Sequence, residues 1–116
     1  MSPASHEDAN LVVQLAQWGA MIDVGQALGA VFGEEFDPET ADTNDPPVRT
    51  ILAYGETIGT LVKNDLLDQE LVLDWLWVQG LWERVGPAAR RARERFGVDA
   101  LYENFEALAR AQAGHA

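Results

Sequence analysis

The sequence predicts an all-α fold, a compact array of about five helices, bundle-like or orthogonal. Three observations predict it. Apolar residues recur at three- and four-residue steps in several separate stretches, the spacing of one helix face. No segment alternates apolar and polar residues over strand length, and no internal repeat is evident. Ser, Asp, Pro and Gly punctuate the stretches where helices start and stop.

Ser5 and Asp8 have the spacing of a capping box, so a first helix begins near His6. Leu11, Leu15, Trp18, Ile22, Gly25, Gly29 and Phe32 continue one apolar stripe to about Phe32. Gly19, Gly25 and Gly29 each weaken a helix by ~1 kcal/mol relative to Ala, so the stretch either holds or divides into two shorter pieces. Residues 33–45 are acidic and aperiodic, contain Pro38, and read as a loop. Asp45 before Pro46 and Pro47 starts a second helix, because Asp caps free amides and Pro fits a first turn. Val48, Ile51, Leu52, Gly55, Ile58, Gly59 and Val62 form its inner face. Asp68 caps a third helix running to about Val85, with Leu67 and Val72 as a hydrophobic staple. Gly86 and Pro87 end it and open a short basic helix from Ala88 to Phe96, which Gly97 stops. Asp99 caps a last helix carrying Leu101, Phe105 and Leu108, with residues 1–5 and 111–116 fraying.

The chain has 116 residues, 47% of them hydrophobic, which suits a single domain with a real core. It contains no Cys, so disulfides and thiolate chemistry are excluded. No basic, apolar leader or bilayer-length apolar run is present, and cytoplasmic placement without membrane contact is the expectation. A formal net charge of −11 argues against nucleic acid, because phosphate binding needs clustered Lys and Arg. A basic partner suits it better.

The stretch Gly59 to Val72 contains Leu61-Val62-Lys63-Asn64-Asp65-Leu66-Leu67-Asp68-Gln69-Glu70-Leu71-Val72. Together with the aromatic helix around Trp82, Arg90 and Arg91, and the closing Tyr102-Glu103-Asn104-Phe105-Glu106-Ala107-Leu108-Ala109, it resembles the uncharacterised bacterial helical family known as domain of unknown function 4760. The resemblance spans roughly Val48 to Ala109. It implies an all-helical fold and supplies no catalytic residues.

Chemistry finds few candidates. The two histidines, His6 and His115, lie near the termini, away from any core that would orient a general base. No Glu is followed by His three residues on, as carboxylate-bridged metal bundles require. The acidic loop fails the calcium-loop pattern, since Pro38 and Ala41 occupy ligand-turn positions and no Gly makes the sharp turn. An enzyme would need Glu56 or Asp74 buried in a pocket with a raised pKa, and neither has an evident partner. No cofactor, metal or catalytic residue is expected.

Binding finds more. Gly55 and Gly59, like Gly25 and Gly29, have the spacing that lets two helix backbones approach, within the domain or between copies. Trp75 and Trp82 lie seven apart on one face and Trp77 points elsewhere, so one core cannot easily hold all three indoles. Trp75, Trp77, Trp82, Gly55 and Gly59 are therefore interface candidates, for a homodimer or a protein partner. Arg84, Arg90, Arg91, Arg93 and Arg95 hold five of the eight basic residues in one stretch. They suggest either a solvated helix, an anion site at Arg84, Arg90 and Arg91, or a contact with the acidic loop of another copy. The expectation is a noncatalytic helical interaction module, with a small-molecule or anion-binding domain as the alternative.

Overall fold

The computed structural model describes residues 3–114. Six helices lie within them, α1 (His6–Met21), α2 (Val24–Val31), α3 (Pro46–Lys63), α4 (Gln69–Trp75), α5 (Val78–Phe96) and α6 (Glu103–Ala113), and no strand occurs among the described residues. His115 and the end of the expected frayed tail lie outside them. No helix here is long and apolar enough to cross a membrane. α3 is the central element: Val48, Ile51, Leu52, Tyr54, Ile58 and Gly59 are all buried, and it packs against α2, α5 and α6. Phe105 of α6, Val85 of α5, Val72 of α4 and Val31 of α2 complete the deepest part of the core.

Several helix starts follow the sequence. The capping box is complete, with Ser5 N–H donating to Asp8 Oδ2 at 2.8 Å and Asp8 N–H donating to Ser5 Oγ at 3.2 Å. Asp8 Oδ1 also accepts from the Asp68 amide at 2.9 Å, tying the start of α1 to the start of α4. Asp68 in turn caps α4 by accepting from Leu71 N–H, and Leu67 and Val72 are both buried. Gly97 closes α5 in the left-handed conformation at φ 66°.

The helix count is six rather than about five because two breaks fall at unexpected residues. The first stretch divides at Asp23, which adopts φ 64° and ψ 44°, a left-handed geometry that Asp tolerates better than most residues. The break rotates the stripe. α2 buries Ala27 and Val31, and Gly25, Gly29 and Phe32 turn out to solvent. The expected third helix stops at Leu76, which is extended at φ −121° and ψ 141°, and α5 then runs through Gly86 and Pro87 without ending. The reason lies in Gly86. A proline disfavours helical backbone before it by clashing with the preceding Cβ, and glycine has none. The indole of Trp82 also lies over Gly86, where an added Cβ would stand 2.8 Å from its ring. The separate basic helix is thus the second half of α5.

Two expected caps are corrected. α3 does start at Pro46, but the Asp45 carboxylate accepts from Asp42 N–H instead of capping it. The last helix starts at Glu103, four residues after Asp99, because Tyr102 takes up a left-handed turn at φ 59° and Val98 to Leu101 form the connection. α6 extends to Ala113, into the segment expected to fray.

The two glycine pairs have opposite environments. A Cβ at Gly55 would lie 2.5 Å from the Phe105 ring, and one at Gly59 would lie 2.4 Å from the Asn104 carbonyl oxygen, whereas Gly25 and Gly29 have nothing within 4 Å. Gly55 and Gly59 therefore admit α6 of the same chain. Gly59→Ala is expected to destabilise the fold by about 2–3 kcal/mol, because the obstacle is backbone. Gly29→Ala is expected to stabilise it by about 0.5–1 kcal/mol through helix propensity. Urea denaturation of the two variants, with opposite shifts in midpoint, is the check.

Candidate functional site

The arginine stretch of α5 holds its own chain. Arg84 Nε donates to the Val31 carbonyl at 2.6 Å, and its Nη2 donates to the carbonyls of Phe36 at 3.2 Å and Gly33 at 3.4 Å. These include an orphan carbonyl at the end of α2, so Arg84 caps that helix from a distance. Arg91 Nη2 donates to the carbonyls of Pro38 and Ala41. Arg95 reaches Asp42 at 3.3 Å and Thr43 Oγ1 at 3.4 Å. The acidic loop thus meets the basic helix within one chain, and mostly through main-chain oxygens. Its aspartates close their own turns: Asp37 accepts from Glu39 N–H and Asp42 from Asn44 N–H.

Further along α5 the partner is a carboxylate. Glu106, buried on α6, receives Arg93 Nη1 at 2.8 Å and Arg110 Nη2 at 2.9 Å, with Arg90 Nη2 at 3.8 Å. Burial alone pushes the Glu106 carboxyl up, but the Arg93 hydrogen bond and the charges of Arg93, Arg110 and Arg90 outweigh it and hold it below its ordinary value. Arg90 and Arg93 also lie over the Trp82 ring, at 5.8 and 5.7 Å from its centroid. Arg93 Nη2 and Trp82 Nε1 are buried donors with no acceptor among the described residues.

Two other side chains close helix ends, and neither had a signal in the sequence. Glu56 Oε1 accepts from the amides of Asn104 and Phe105, each at 3.0 Å, supplying the N-terminal cap that Tyr102 cannot. Gln112 spans the break between α4 and α5: its Nε2 donates to the carbonyls of Leu73 at 3.1 Å and Leu76 at 2.9 Å, and its Oε1 accepts from Gln79 N–H at 2.7 Å. Asp74 is exposed on α4.

The break separates the tryptophans. Trp82 is 6% exposed and meets Phe105 edge to face, with ring centroids 5.1 Å apart. Trp75 is half-buried, 6.5 Å from Tyr54, so it shares no helix face with Trp82. Trp77 goes outward. It is 63% exposed and stacks on Phe32, itself 43% exposed, with centroids 5.8 Å apart and planes within 7°. A Cβ at Gly80 would lie 2.4 Å from the Trp77 ring, so the indole rests directly on the α5 backbone. Phe36, Glu34, Glu83 and Arg84 line the surrounding groove. Among the described residues no group of three or more His, Asp or Glu is placed to hold a metal ion.

The Glu106 cluster has a pH signature. Its folded-state pKa lies below its ordinary value, so its stabilising contribution is present at neutral pH and is lost as pH falls from about 4.5 through the lowered value. Glu106→Gln is expected to cost roughly 2–3 kcal/mol at pH 7 by removing the negative charge on which Arg93, Arg110 and Arg90 converge. The gap between variant and unaltered chain narrows below pH 4.5, measured by denaturation over a pH series.

A family profile described as a domain of unknown function (DUF4760) matches residues 25–112, most of the chain. No curated protein matches, and no solved structure matches.

Proposed function

The chain belongs to the DUF4760 family, and on that premise we propose that it is a noncatalytic helical interaction module, contacting a protein partner or a second copy through Trp77 and Phe32. The single observation that carries this reading is the exposed aromatic stack. Large aromatics exposed together and held rigid are what interface anchors require, because their ordering entropy is already met before binding. The fold holds Trp77 in place by the Phe32 ring, the bare backbone of Gly80 and the Gln112 clasp at the break. Gly55, Gly59, Trp75 and Trp82, the other interface candidates, are packed within the chain.

Trp77→Ala is expected to cost about 1 kcal/mol of stability or less, since the residue is 63% exposed and its contacts are confined to the Phe32 ring and the Gly80 backbone. The same substitution is expected to abolish either dimer formation in light scattering or retention of a partner in affinity capture. A monomer at all concentrations, together with capture identical for both proteins, refutes the reading.

A second reading, an anion-binding domain, is favoured by Arg93 Nη2 and Trp82 Nε1 as buried donors beside Arg90, whose side chain is 56% exposed. It moves the candidate residues from Arg84 and Arg91, already hydrogen-bonded to carbonyls, to Arg90 and Arg93. Phosphate at fixed ionic strength is then expected to raise the melting midpoint, and Arg90→Ala to remove the rise. An unchanged midpoint counts against it.

A further inference from the structure

We propose that the occupant of the Trp77 groove is a cationic amphipathic segment of another protein. Its Lys or Arg side chains would pack on the exposed part of the Trp77 ring in the groove that Glu34 and Glu83 line, while an apolar residue covers Phe32. The inference rests on the reading of this face as a docking surface and adds the chemistry of what docks there.

Charge complementarity carries it. Glu34 and Glu83 line the groove with Phe32, Phe36 and Trp77, and the exposed Glu35 and Asp37 continue the same loop. The one cation there, Arg84, is half-buried, turned onto three carbonyls and 5.2 Å over the Phe36 ring. Arg91 and Arg93 are likewise half-buried on acceptors of their own chain, whereas Arg90, Arg95 and Arg110 keep 56%, 47% and 79% of their side chains exposed. Of eight basic residues, Arg84, Arg90, Arg91, Arg93, Arg95 and Arg110 each contact an acceptor among the described residues. Glu34 and Glu83 against the single charge of Arg84 leave the groove lining net negative, on a chain whose formal net charge is −11.

An indole face flanked by carboxylates attracts a guanidinium or ammonium by both its quadrupole and the local charge. A second copy suits it less well. A two-fold contact sets the same patch against itself, which would bring Glu34 and Glu83 of both copies together. Anionic partners, nucleic acid and acidic lipid surfaces among them, meet the same repulsion.

The test uses the full chain labelled with nitrogen-15 and follows the indole N–H signal of Trp77, assigned by its loss in Trp77→Phe. The probes are a short amphipathic peptide of Leu, Ala and Arg, and matched peptides with Gln or Glu in place of Arg. The Arg peptide is expected to shift the Trp77 signal saturably and to leave the buried Trp82 signal still. Glu34→Gln with Glu83→Gln is expected to weaken binding roughly fivefold or more. Raising salt from about 0.05 to about 0.3 M weakens it further. Equal binding of the Gln peptide, or an undiminished affinity in the double variant, overturns the cationic assignment while leaving the docking surface intact. A Trp77 signal that no peptide moves, with capture unaffected by Trp77→Ala, overturns both.

Discussion

The six helices among the described residues create many unpaired backbone amides and carbonyls, and the architecture depends on satisfying them. Each helix leaves four amides at one end and four carbonyls at the other without intrahelical partners. Local caps meet part of this demand, through Ser5 and Asp8 at α1, Asp68 at α4 and Gly97 at α5. Long polar side chains from other helices meet much of the rest. Glu56 of α3 holds the start of α6, Arg84 of α5 holds the end of α2, and Gln112 of α6 holds both sides of the α4–α5 break. Each of these bonds also fixes the distance between two helices, so capping and packing are one constraint here.

That coupling explains why the small residues sit where they do. Glu56 reaches the Asn104 and Phe105 amides only if α6 approaches α3 with nothing between them, and Gly55 and Gly59 leave that space free. The same approach seats Phe105 fully buried against Trp82. Arginine serves this role well because its planar, permanently charged fork can donate to several carbonyls at once, as Arg84 does.

The legible part of this structure was what depends on neighbours in sequence. The capping box, the Pro46 start, the acidic loop, the Asp68 cap and the left-handed Gly97 are all local patterns, and all are present. Where sequence reasoning failed, tertiary partners decide. Nothing near Leu76 marks a helix end, and the residue that stabilises the break is Gln112, 36 positions away. Gly86 and Pro87 carry a strong local stop signal, yet together they are compatible with helix, and burial of α5 on both sides of them keeps it intact. Asp99 was the natural cap for α6, but the carboxylate that caps it arrives from Glu56. For the site, the excess of tryptophan was readable and its division was not, because which indole faces water depends on the phase lost at an unmarked break.

The placement of that break has one further consequence. Had α4 and α5 formed a single helix, Trp75 and Trp82 would share a face seven residues apart, and Trp77 would lie on the flank of a continuous rod. Two non-helical residues instead reset the phase, so Trp75 stays against Tyr54 and Trp77 lies over Gly80 and against Phe32. A helix break costs hydrogen bonds, and this one is compensated by three bonds from a single Gln. That compensation holds the break, and with it the outward placement of Trp77.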